Sequence, residues 1–297
     1  MTDRQKTVSP PTATPPRQSG FAAHPSRGYS RLNDRFGLFI AAVVLLAPVP
    51  LASNRPVWWL LWGGIIGAGC ALHLALGTRI APGRPLQLRH HLPLMLAGLG
   101  VAGFALLQAL PLAALLPEAL RSLPASAGLS PVPRSISLAP DASLAGGLRV
   151  MIYLCFLALV LEVSSQPARA ERIGWLLFAG LAAHAIWGLV ALKVLGDTLL
   201  LQDKTAYRGF ATGTFINRNS YATFLGFGIV LGIALTLGRT LTPGRTLAAG
   251  RPRRWSGVSA VAGLETLALW GLIGGMAITL VATQSRLGGR PPPWGPG

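Results

Sequence analysis

The stretch of this chain best equipped for chemistry is Tyr207–Asn219, which reads Tyr-Arg-Gly-Phe-Ala-Thr-Gly-Thr-Phe-Ile-Asn-Arg-Asn. It sets Arg208, Asn217, Arg218 and Asn219 around Gly209 and Gly213, directly before an apolar run. Guanidinium groups are forked donors that match phosphate oxygens, and glycines let the backbone come close to a ligand. Asn219 is placed to cap the helix that the apolar run predicts, and the free N–H groups at that helix start favour an anion. These residue types point to recognition of a phosphate-bearing group.

The elements that must hold this stretch are helices in a membrane. Of the 297 residues 51% are hydrophobic and 12% charged, a composition too poor in charge for a soluble domain of this length. Residues 1–31 are rich in Pro, Ser, Thr and Arg, and predict a disordered basic tail. No apolar segment follows them at the distance a secretory leader requires. Seven apolar runs then predict spans near 36–53, 57–76, 92–116, 144–163, 173–195, 219–238 and 261–282. The expectation is an all-α polytopic protein with a membrane domain over 32–289. Pro111 shortens the third span, and 117–143 forms the longest loop, a connector with some ordered structure around Ser135–Asp141. Gly63 with Gly67, and Gly228 with Gly232, have the spacing that lets helices approach closely in lipid.

The net charge of +17 raises nucleic acid as a partner, but the basic residues sit in the gaps between apolar runs and have no interleaved exposed aromatics. Nucleic acid is therefore excluded. Placing the N-terminus inside puts sixteen of the 26 lysines and arginines on the cytoplasmic side and leaves ten on the other. The cluster Arg251–Arg254 anchors the loop between the last two spans inside. This orientation brings Arg208, Arg218 and Arg286 to the extracytoplasmic face.

Each candidate has a plainer reading. Arg208 and Arg218 could be interfacial side chains reaching for lipid headgroups. Arg286 could be a cation at a helix C-terminus. Thr212, Thr214 and Ser285 could bond a phosphate or a sugar hydroxyl, yet hydroxyls at helix ends usually cap. His184 in the fifth span reads as a packed, hydrogen-bonded histidine; His73, His90 and His91 fall towards the cytoplasm. Glu265, near the inner end of the last span, reads as a structural partner. Cys70 and Cys155 read as packing residues. No metal or other cofactor is implied, since the outer face lacks paired carboxylates or a His cluster at ligand spacing.

The string from Arg208 to Asn219, and Thr283-Gln-Ser-Arg286 after the last span, resemble the two signatures of the O-antigen ligase family. That family joins or polymerises glycans carried on undecaprenyl pyrophosphate, with lipid A-core, a growing polymer or protein as acceptor. The resemblance implies a bacterial inner-membrane enzyme in which Arg208 and Arg286 hold the substrate diphosphate. Gly213, Thr214, Asn217, Arg218, Asn219 and Ser285 would support them. The implied partners are the lipid-linked glycan donor, a glycan or lipid A-core acceptor, and membrane lipids. Relatives activate the acceptor hydroxyl with a His on a loop beyond the second Arg. Here the chain runs Arg290-Pro-Pro-Pro-Trp-Gly-Pro-Gly297, an aberrant ending over 290–297, and the expectation is a truncated form whose catalytic His lies past the chain end. The alternatives are a transporter or flippase-like protein, which interrupted spans and inverted repeats would favour, and a non-catalytic membrane fragment.

Overall fold

The computed structural model describes residues 27–284, apart from 51, 53–54, 116, 123–133, 201, 205 and 242–259. The predicted tail up to residue 26 and the ending at 290–297 lie outside the described residues. Seven long helices run in order: α1 (Arg27–Leu46), α2 (Pro56–Ile80), α3 (Leu92–Ala109), α4 (Pro140–Val163), α5 (Pro167–Lys193), α6 (Arg218–Leu241) and α7 (Ala260–Ala282). Proline opens α2, α4 and α5, where the missing N–H costs nothing and the fixed φ suits a helix start. The protein is an all-α polytopic membrane protein, with α2 to α7 each long and apolar enough to cross a bilayer.

Two predicted boundaries are corrected. The first span was expected at 36–53, but α1 covers 27–46. Pro48 and Pro50 cannot continue a helix, and the chain turns there. At its start α1 recruits residues 27–31 from the predicted tail. Its first turns carry Arg31, Asp34 and Arg35, so it is less apolar than the other six. The third span ends at Ala109, ahead of Pro111 rather than at 116.

α3 lies along α4 and α4 also packs on α2; α5, α6 and α7 form a second group; α1 packs against both. The second group closes on Phe178, Leu181, Ala185, Tyr221, Leu225 and Met276, all buried. Close approach depends on glycine here. A Cβ at Gly228 would stand 3.1 Å from Leu181 Cβ, and one at Gly232 would stand 2.9 Å from Phe178 Cδ2. The Gly228 and Gly232 pair thus does what its spacing predicts. The other pair is split, since Gly63 meets Ile152 while Gly67 faces open space.

One end of the bundle is pinned by ionised groups that sequence reading passed over. Arg169, only 2% exposed, donates from Nε to Asp34 Oδ1 at 2.8 Å and from Nη1 to Val163 O at 2.9 Å. Its Nη2 donates to Ser30 and to Gln166 Oε1. Glu162, also buried, accepts from Tyr29 O–H at 2.7 Å and from Gln87 N–H at 2.6 Å. His73 bonds Asn33 Oδ1 at 2.7 Å, and Arg84 stacks on the Tyr29 ring. Arg169→Met removes the donor to the Val163 carbonyl and to the Ser30 and Gln166 side chains, and is expected to cost about 3 kcal/mol, the scale of losing a buried cation with several hydrogen bonds. Arg172→Met, which removes an exposed guanidinium 3.7 Å from the Asp34 carboxylate, costs less than about 1 kcal/mol. Thermal unfolding in detergent separates the two, and equal losses would refute the assignment.

Candidate functional site

The loop from Gly196 to Asn217 joins α5 to α6 at the end of the bundle opposite Arg169. It begins with a two-residue ladder, β1 (Thr198–Leu199) against β2 (Gln202–Asp203), turned through Leu200 at φ +51°. Asp197, itself left-handed at φ +63°, organises the rest of the loop. Its Oδ1 pairs with Lys204 Nζ and its Oδ2 accepts the Gly209 N–H at 2.6 Å. Lys204 is 4% exposed; its ammonium also donates to Phe210 O at 2.8 Å, and its own carbonyl accepts Arg208 Nε at 2.9 Å. One carboxylate and one ammonium therefore hold the turn 207–210 from both sides.

Arg208 stands on that turn as an exposed side chain, between Tyr207 at φ +57° and Gly209 at φ +81°. Only its Nε has a protein partner among the described residues, which leaves terminal N–H groups for a ligand. Arg218 points its guanidinium over Phe210, 4.5 Å from the ring centroid, and towards Tyr207 at 5.5 Å. It locks the turn against the start of α6 while its buried Nε has no hydrogen-bond partner.

The supporting residues separate into different roles. Gly213 adopts φ +57° against the Tyr221 ring, and Tyr221 donates to His184 O at 2.6 Å. The expected cap moves by two positions: Asn217 Oδ1 accepts the Asn219 N–H at 2.8 Å, so Asn217 caps α6 and Asn219 lies inside the first turn. Thr212 and Thr214 are 1% and 3% exposed, and among the described residues their hydroxyls have no hydrogen-bond partner. His184 is packed, as its sequence setting predicts, with Nε2 on Leu45 O at 2.9 Å and its ring edge-on to Phe224. Glu265 is exposed near the start of α7. Cys70 and Cys155 are free thiols in the helix contacts. Among the described residues no three His, Cys, Asp or Glu side chains gather as a metal would need.

The first sequence string packs against the residue that precedes the second. Ala211 N–H donates to Ala282 O at 3.0 Å, the residue before Thr283, so Arg208–Asn219 closes directly on the end of α7. Ser285 and Arg286 lie outside the described residues. Asp197 and Lys204 are the site residues that sequence reasoning missed. Their signal was weak: Asp197 and Asp203 are the only acids between Glu171 and Glu265.

The chain matches no protein-family model, no curated protein and no solved structure.

Gly213 and Gly209 offer a test of this geometry. Both have positive φ, but a Cβ at Gly213 would lie 2.7 Å from Tyr221 Cε2, whereas one at Gly209 would meet nothing within 4 Å. Gly209→Ala is expected to cost about 1 kcal/mol from backbone strain alone. Gly213→Ala adds overpacking of about 1–3 kcal/mol, and melts several degrees lower in a thermal scan. The reverse order would mean that the loop does not rest on Tyr221.

Proposed function

We propose that this chain is a membrane glycan transferase of the O-antigen ligase type, acting on glycans linked to undecaprenyl pyrophosphate. The observation that carries the proposal is the exposed Arg208 on a braced turn, with terminal N–H groups left for a ligand, beside the residue that precedes the second family-like string. The exposed Arg208 beside the capped start of α6 supplies donors and a helix dipole suited to a diphosphate.

In this reading the N-terminus is cytoplasmic and the site faces the extracytoplasmic side of a bacterial inner membrane, in keeping with the distribution of lysine and arginine. An acceptor hydroxyl on a glycan or lipid A-core attacks the anomeric carbon of the donor sugar. The bond from that carbon to the diphosphate oxygen breaks, the electron pair leaves with undecaprenyl pyrophosphate, and the hydroxyl proton passes to a base. The part assigned to this chain is to hold the diphosphate and neutralise its growing charge, through Arg208 and, from the resemblance, Arg286.

The test is binding of undecaprenyl pyrophosphate to the purified chain in lipid nanodiscs. Arg208→Ala is expected to weaken binding at least about tenfold, the scale of losing a charge-assisted contact to phosphate. Arg208→Lys recovers only part, because an ammonium lacks the forked geometry. Arg208→Ala bound as tightly as the parent would overturn the reading.

A further inference from the structure

Arg149 is an ionised side chain in the middle of an apolar span. It lies nine residues into α4, about 13 Å along the helix axis from the start at Pro140. A charge at such a position is costly unless something polar meets it. No hydrogen bond or carboxylate meets Arg149 among the described residues. Its one contact of note is aromatic: the guanidinium carbon stands 4.6 Å from the ring centroid of Trp59, in the first turn of α2.

That contact sets its direction. Trp59 is three residues from the start of α2, about 5 Å along its axis, so the Arg149 head is drawn towards the end of the bundle that carries the Arg208 loop. The way out on that side is open. Ala142, Ala145 and Gly146 occupy the same face of α4 above Arg149, and a Cβ at Gly146 would meet nothing within 4 Å. The side chain itself is exposed, so the described chain does not cover it. Trp58 and Trp62 lie beside Trp59 in the sequence, which gives the start of this helix the indole composition of a membrane interface. The guanidinium is stacked on one face and, among the described residues, its N–H edge meets no acceptor.

We infer that Arg149 and Trp59 form a headgroup site for an anionic glycerophospholipid, whose phosphate receives the guanidinium N–H groups. An exposed guanidinium stacked on an indole, between two neighbouring spanning helices, matches that chemistry. The acyl chains continue along the apolar surfaces of α2 and α4. The site is built on different helices from the Arg208 loop and does not depend on the transferase reading.

Native mass spectrometry of the full chain in detergent tests it, with phosphatidylglycerol, phosphatidylcholine and farnesyl diphosphate as separate titrants. One phosphatidylglycerol is expected to bind at least about tenfold tighter than phosphatidylcholine, the scale of a charge-assisted phosphate contact. Arg149→Leu removes that preference, and Trp59→Leu weakens it about threefold, as loss of a cation–π contact would. Leu in place of Arg removes a charge from an apolar span, so this variant folds at least as well as the parent. Arg149→Lys keeps the charge and is expected to retain a reduced preference, which separates a headgroup contact from a packing effect. Unchanged phosphatidylglycerol binding by Arg149→Leu, or no preference over phosphatidylcholine in the parent, would overturn the inference. So would farnesyl diphosphate binding that is tighter than phosphatidylglycerol and lost in Arg149→Leu, since the occupant would then be an isoprenyl diphosphate.

Discussion

The fold depends on a cation that has been taken out of water. Arg169 sits where α4 ends and α5 begins, and its guanidinium satisfies the last carbonyl of α4, the Asp34 carboxylate and the Ser30 side chain of α1. Desolvating a guanidinium is expensive, and the cost is met only when every N–H direction finds an oxygen. That requirement fixes where α1 must lie. α1 is the helix that packs on both groups, so the bond from Arg169 to Asp34 also sets the two groups relative to each other. Glu162 repeats the arrangement with opposite sign, since it collects Tyr29 from α1 and the Gln87 amide from the loop before α3.

At the other end the same logic works on a loop rather than on helices. Asp197 and Lys204 form a second withdrawn ion pair, and their remaining bonding capacity goes to the backbone on either side of Arg208. The loop rests on the core of α5–α7 through Tyr221, whose ring faces Gly213 and whose hydroxyl reaches the carbonyl of His184. His184 in turn bonds the carbonyl of Leu45 near the end of α1. A continuous path of packed groups therefore links α1 to the turn that carries Arg208. It gives that turn a support that reaches back into the helix core.

Helix number, order and lipid character were legible because apolar length is a property of local sequence. Boundaries were legible where proline marked them, as at Pro56, and misread where proline was discounted, as at Pro48, Pro50 and Pro111. The start of α1 was not legible. Residues 27–34 are polar, and they are helical because Ser30, Asn33 and Asp34 meet partners forty to 139 positions away. Such pairings leave no local trace. The site shows the same division. Arg208, Gly213 and the start of α6 stood out by type and spacing, but the cap fell on Asn217 because a two-residue shift in helix start is below what spacing can resolve. Asp197 and Lys204 stayed hidden because a seven-residue separation across a tight ladder has no periodic signature.

The charged side chains sort by whether the protein has already answered them. Arg169 and Lys204 are buried, and their hydrogen bonds go to protein oxygens that hold the architecture. Arg218 is neutralised by aromatic faces and holds a turn shut. Among the described residues Arg208 gives one N–H to the backbone and Arg149 meets an indole and no acceptor. The ionic interior at the Arg169 end ties helices to one another, whereas the Asp197–Lys204 pair at the opposite end braces a loop.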